Sequence, residues 1–484
     1  MRCRSRRCLV TLGIVVAVVL FVGYAALQWF MRPILTEFAG DEGHFKYGSI
    51  GNDAATGIPA PIWFVLPQVC ARHVPQPGGY EAFGLIWEPG RDPKSDAPVG
   101  FSKARVGVER MAINCAFCHT VRARQTQEGE PRLYFGGAGN AVDVQAYVRF
   151  LGRCAADRQF SARRLLPAMD ERFHLSWVER LAYRFVLIPI TRKRLLQQRD
   201  AFAWTNRRPD WGVGRIAPFN PVKFGMLGLL DDDTVDNSDM QAVWNLDGRE
   251  KIRRNAPLHW DGLNTSIHEV VLSSALGDGT TAAEYRAQSL GRIERYLRTT
   301  RPPPSPHAPE ASAVARGKTV YAAHCAACHA ADGARTLSVV ALAELGTDAN
   351  RAIMWTDSAA HAYNNYRVGR DWSFKAFRNV DGYIAEPLEG TWLNGPYLHN
   401  GSVPTLSDLL APPEKRPVTF LRGVDVVDQV NGGFVSPRCD PKRPPARGFC
   451  FDTRLVGNSN GGHVYGTGLG DADKADLLAY LLTL

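Results

Sequence analysis

The sequence lacks low-complexity tracts and any internal repeat of short, fixed period. That sets aside disordered, collagen-like and solenoid chains. No run of interleaved basic and stacking residues matches a nucleic-acid module, so no nucleic-acid partner is expected. Long hydrophobic runs are absent with one exception, 23 residues from Leu9 to about Met31, enough to span a bilayer. Four arginines precede it in "MRCRSRRC", and Glu37, Asp41 and Glu42 follow. This charge order keeps the N-terminus inside and sends the body outside. The expectation is a cytoplasmic tail (1–8) with reduced thiols at Cys3 and Cys8, a single-pass inner-membrane anchor (9–31) and a body in the periplasm. The alternative is cleavage near "GYAAL", releasing a soluble periplasmic protein.

What is present is globular in composition: 45% hydrophobic and 22% charged, with 45 Gly and 31 Pro that call for much loop. A chain of 484 residues suits two or three domains. The net charge is +9, and its excess gathers between Ser161 and Arg215, where twelve Arg and Lys face five acids. A solvated helix face explains this; a docking surface for an acidic redox partner or anionic lipid is the sharper alternative.

Ten cysteines divide into distinct groups. Cys439 and Cys450 flank a Pro-rich loop and suit a disulfide, worth about 3 kcal/mol by loop entropy. Cys70 and Cys154 either pair or are simply buried. Four others fall in two pentads of the form Cys-x-x-Cys-His: Cys115, Cys118, His119 and Cys325, Cys328, His329. This is the spacing of covalent c-type haem attachment, with the histidine binding iron from the proximal side. At this composition one such pentad is expected about 0.005 times by chance. Zinc would need four tetrahedral ligands, which a pentad does not present. A redox dithiol would not need the histidine. Two covalently bound haem c groups follow, in a mainly α fold of two cytochrome c-like domains with long loops.

The flanking sequence agrees. Ala313, Ala315, Gly317, Val320 and Tyr321 recur at near-helical spacing before the second pentad. At the far end Asp471 and Asp473 mark a helix start, and Leu477, Leu478 and Leu481 form an apolar stripe. Such helices cross over the haem edge in a cytochrome c fold. The run "TTRPPPSPHAP" reads as a stiff linker. The domains are then 32–301, an N-terminal haem domain with extended insertions, a linker at 302–309, and 310–484, a C-terminal cytochrome c domain. A six-coordinate iron needs a second axial ligand. The rigid "GPYLHNGSVP" loop offers His399, with His361 and Met354 as competitors.

Six stretches together resemble the rubber oxygenase A-like family of dihaem c-type cytochromes, within the wider group of bacterial dihaem cytochrome c peroxidases. They are "HFKYGSIGNDAATGIPAPIWFVLPQV", "GLIWEPG", "PVGFSKARVG", "INCAFCHT", "WLNGPYLHNGSVPTLSDLL" and the second pentad, so the likeness runs from about His44 to the C-terminus. The resemblance implies that Cys115, Cys118 and His119 hold the haem where oxygen or peroxide binds. Cys325, Cys328 and His329 would hold an electron-relaying haem with His399 as its second ligand. It further implies roles for "MQAVWNLDGREKIRRNAPLHWDGLNTS": Trp244 as an indole between the haems and Trp260 in the distal pocket. Read from the residues alone, both tryptophans are core. The carboxylates of "LLDDDTVDNSD" are a calcium candidate beside a solvated turn.

Three functions follow. The leading one is a dihaem oxidoreductase, peroxidase-like or oxygenase-like, working with a redox partner protein or quinone-linked donor. The others are a non-catalytic electron-transfer cytochrome and a haem-based sensor or assembly factor. The 270 residues from Arg32 to Arg301 exceed what a carrier needs, which favours the enzyme.

Overall fold

A computed structural model describes residues 6–75, 78–366, 372–443 and 445–484. Residues 1–5, including Cys3, lie outside the described residues. Helices dominate, joined by long loops and a few short antiparallel strands. The apolar run forms one helix, Arg6–Phe30, with exposed side chains at 10–25 and 28–30. Its composition fits a membrane span or a signal sequence equally.

The first pentad grows out of a small sheet. Strands Phe101–Val106 and Val108–Ile113 form a hairpin, and Ile58–Pro59 adds to the second of them. The chain leaves Ile113 through Asn114, whose side chain accepts from Ala116 N, and turns at Cys115–Phe117. Around this sheet pack helices Ala60–Val69, Val144–Ala156 and Ala162–Phe173, and the long helix that runs from Trp177 to Ala201. A disulfide between Cys70 and Cys154 ties the first two, resolving the choice between pairing and simple burial. Cys439 and Cys450 are also joined, bridging onto the hairpin of strands Thr419–Arg422 and Phe449–Asp452.

The second pentad follows helix Ala311–His324, and the chain ends with helix Asp471–Leu481. These two cross closely because Gly317 has no side chain. A methyl group there would sit 1.9 Å from the Asp476 carbonyl oxygen. Tyr321 packs on Tyr480 with centroids 5.1 Å apart, and Arg316 grips Asp476 through two hydrogen bonds of 2.7 and 2.8 Å.

Residues 301–310 form no helix or strand, yet they are held: Trp392 Nε1 donates to Pro303 O and Ser305 Oγ to Leu482 O. The chain on either side interlocks. Met354, Trp355, Tyr363, Phe374 and Phe377 share one apolar core with Phe45, Phe219, Leu272 and Leu297. Buried ion pairs cross the same boundary, Arg351 to Asp236 and Asp261, and Arg422 to Asp239. Lys223 Nζ donates to Met354 O at 2.9 Å and to Asp232 at 2.5 Å.

Candidate functional site

Each pentad opens on its own cavity. The first, about 480 Å³, is lined by Cys115, Cys118 and His119. The second, about 440 Å³, is lined by Cys325, Cys328 and His329. All four thiols are unpaired. Burial raises the first-site thiols, Cys115 to about 12, which disfavours the thiolates that zinc requires. Among the described residues no group of three or more His, Cys, Asp and Glu is arranged to hold a metal ion.

The backbone sets both histidines the same way. His119 Nδ1 donates to Gln241 O at 2.8 Å, and His329 Nδ1 to Glu386 O at 2.6 Å. That assigns the proton to Nδ1 and leaves Nε2 as the electron-pair donor. The two anchors are themselves joined. Gln241 Nε2 donates to Glu386 Oε1 at 2.9 Å, and Arg249 pairs with the same carboxylate at 2.5 Å. A continuous chain of hydrogen bonds and backbone therefore runs from one imidazole to the other.

The second cavity contains a further imidazole. His463 faces His329 with ring centroids 6.2 Å apart. With metal–nitrogen bonds of about 2 Å, imidazoles on opposite faces of one metal have centroids roughly 6 Å apart. The Nδ1 of His463 is buried without a protein partner. Its loop is held from behind: Arg416 donates to the carbonyls of Asn460, Gly462 and His463, and His463 N donates to Leu345 O. Gly462 adopts φ +73° and passes so close to Gly346 that a Cβ would lie 2.3 Å from its carbonyl carbon.

His399, expected at that position, lies elsewhere in the same cavity. Its ring stacks on Tyr383, centroids 3.9 Å apart and 15° between planes, and its carbonyl accepts from Asp239 N. Its Nε2 is buried without a protein partner. The rigid loop around it supports His463, because Asn400 Nδ2 donates to Ser459 O and Gly457 O. The competitors are set aside by position. Met354 is buried in the core around Trp355, and His361 is on an exposed helix face.

Trp260, rather than Trp244, stands between the two cavities. Asp239, Met240, Gln241, Ala242, Arg249 and Trp260 line both cavities. Trp260 is therefore the indole in the shared wall, pinned by its Nε1 donating to Asp239 O at 2.8 Å. Trp244 lines the second cavity and packs with Val121, Trp392 and Phe434. The carboxylates of 229–239 do not form a calcium site. Asp231 pairs with Arg207 and Arg208, and Asp232 with Lys223.

Two first-cavity residues escaped sequence reading. His259 has φ +65° and a buried, unpartnered Nε2, and burial pushes it down to about 3. Asp278 has its carboxyl pushed up to about 7 by burial. Neither stands in a motif; only the adjacency of His259 to Trp260 in "NAPLHWDG" hinted at it.

The donor sets and cavities fit covalently attached haem c, and the family comparisons agree. Residues 314–376 match the cytochrome c family and residues 382–421 the RoxA-like, cytochrome c-like family. Through this C-terminal region the chain is similar to RoxA-like cytochrome c domains. It is thus a haem-binding protein of an electron-transfer family. Two relatives from Sinorhizobium fredii are similar to it. The uncharacterized protein y4iM is 28% identical over 223 residues, 41% of this chain and 49% of that protein. The uncharacterized protein y4iJ is 42% identical over 111 residues, 21% of this chain and 18% of that protein. The chain thus spans about half the length of one relative and under a fifth of the other.

Proposed function

We propose that this RoxA-like cytochrome is a dihaem oxidoreductase that activates peroxide or dioxygen at the first site and relays electrons through the second. The observation that carries the proposal is the pair of pentad-lined cavities sharing the wall of 239–242 and Trp260, with a facing imidazole at the second. Haem c supplies reversible one-electron chemistry and, where one face of its iron is open, reactivity toward small oxidants. Cys115 and Cys118 attach the first group and Cys325 and Cys328 the second. His119 would be the ligand at the first site, and His329 with His463 at the second. Gln241 and Glu386 hold the proximal rings in one tautomer. Asp278 takes up or releases a proton near neutral pH. Trp260 completes the wall between the two cavities.

The helix Arg6–Phe30 serves in this reading as an inner-membrane anchor with the body in the periplasm, where haem c is attached. A soluble periplasmic body after cleavage is the alternative. The electron source is a redox protein or quinone-linked donor.

His259 favours a second reading, a pure electron-transfer cytochrome in which its unpartnered Nε2 would serve as a further ligand to the group held at the first site. Ferric EPR of the purified protein separates the two. One high-spin and one low-spin haem supports the oxidoreductase. Two low-spin haems, one turned high-spin by His259→Ala, support the carrier. Haem per chain by pyridine haemochrome must come to two; one would refute both.

A further inference from the structure

The helix from Trp177 to Ala201 is apolar on two opposite faces. Its inner face carries Tyr183, Ile188 and Leu195, which join the core around Met111 and Phe150. Its outer face carries Trp177, Val178, Leu181, Phe185, Val186 and Ile190, each between 46% and 74% exposed. A soluble protein scatters such residues singly; a contiguous stripe marks an interface. A capping box of Ser176 and Glu179 starts the helix. A π-helical turn at Tyr183–Leu187 precedes Pro189, which has no N–H to donate.

Two further features say what covers the stripe. The first is charge. Arg184, Arg192 and Lys193 line a groove of about 540 Å³ beside the stripe, with Asp200 as the acid in its lining. Arg180, on the same helix, is paired with Asp170 at 3.1 Å, and Arg199 offsets Asp200 at 2.7 Å. The second is position. The inner face lies against the hairpin Phe101–Ile113, where Tyr183 is within electrostatic reach of Arg110 and Glu109. The turn of that hairpin, Gly107, touches the end of the apolar N-terminal helix: a Cβ there would lie 2.9 Å from Met31 Sδ and 3.0 Å from the Phe30 ring. Ile34 then pairs with Arg105 of the same hairpin. The helix Trp177–Ala201 and the emergence of helix Arg6–Phe30 therefore adjoin the same hairpin.

We infer that the outer face of the helix Trp177–Ala201 is a second membrane contact, lying in the headgroup region of an anionic bilayer. Its apolar row enters the acyl boundary while the arginines meet lipid phosphates. The occupant is lipid rather than a second copy, because the stripe is rimmed by like charge that a two-fold pairing would bring together. This inference rests on the reading of Arg6–Phe30 as a membrane segment in the mature protein.

The test uses full-length holoprotein with a protease site introduced between Thr36 and Glu37, reconstituted into vesicles. Vesicles contain either phosphatidylcholine alone or phosphatidylcholine with phosphatidylglycerol. After cutting, the freed body is expected to float with the phosphatidylglycerol vesicles. The triple variant Trp177→Ser, Leu181→Ser, Phe185→Ser should lower the bound fraction about tenfold, while its haem absorption spectrum stays unchanged. Phe185→Leu in place of Phe185→Ser should restore part of the binding. Release of the wild-type body as completely as the variant would overturn the inference. So would a freed body that sediments as a dimer broken by the same substitutions. If the mature protein proves to lack Arg6–Phe30 by N-terminal sequencing, the anchor reading fails separately. The native body is then added to the same vesicles, and its binding or release decides the stripe alone.

Discussion

At the residue scale, the division of labour between His399 and His463 is the sharpest consequence of the fold. His463 faces His329 across the second cavity, whereas His399 is stacked on Tyr383. His463→Ala is expected to convert one low-spin ferric signal to high-spin in EPR. His399→Ala should leave that signal low-spin, and a loss of it would return His399 to the ligand position. His44 tests burial away from the cavities. Its Nε2 meets Ser289 Oγ at 2.9 Å, and burial, with Arg292 adding to it, pushes its pKa down to about 4. The folded value is thus depressed below the unfolded 6.5. The stability it contributes is full above pH 6.5 and is lost as pH falls toward 4. Urea midpoints of the holoprotein should drop between pH 7 and pH 5 by the equivalent of about 2 kcal/mol at most. His44→Gln, which can keep a partner at Ser289, should flatten that drop.

Among elements, the crossing of Ala311–His324 with Asp471–Leu481 has the least room to adjust. Its closest approach is backbone on Gly317, so no rotamer change relieves an added methyl. Gly317→Ala is expected to destabilise the holoprotein by about 1–3 kcal/mol despite its better helix propensity, measured by chemical denaturation. An unchanged midpoint would mean that the helices can separate at little cost. Both helices were legible beforehand, since an apolar stripe and an acidic start are local patterns. The small strands that position the first pentad were not, because runs as short as Ile58–Pro59 carry no periodicity. The wide turn in the helix beyond Trp177 also left no signal beyond Pro189.

For the whole molecule, the two sites behave as one unit. The proximal rings are joined through Gln241 and Glu386, with Arg249 balancing the carboxylate. Glu386→Gln leaves Arg249 uncompensated beside both rings. It is expected to raise the reduction potentials of both haems in a spectroelectrochemical titration, by tens of millivolts or more. A shift at one haem only would break the proposed link. The core is shared as well. Residues 310–484 expressed alone would expose Trp355, Tyr363, Phe374 and Phe377, which pack against Phe219 and Leu272 in the intact chain. They would also leave Arg351 without Asp236 and Asp261. This segment is expected to aggregate or to bind the dye ANS strongly, and a well-folded, haem-loaded fragment would contradict the interlocked core.

Chemistry that depends on near neighbours was legible in the chain alone. Two thiols and an imidazole within five residues are a local pattern for attachment and a first ligand, because covalent geometry fixes their separation whatever the rest of the chain does. The single apolar run and the cytochrome helices were readable for the same reason. Only the tertiary structure decided what crosses a cavity. His463 lies 134 positions beyond His329, and Trp260 stands in the shared wall while Trp244 does not. Those placements arise from loops, buried ion pairs and close backbone passes at Gly462 and Gly317, whose energies belong to contacts between distant segments and leave no period in the chain.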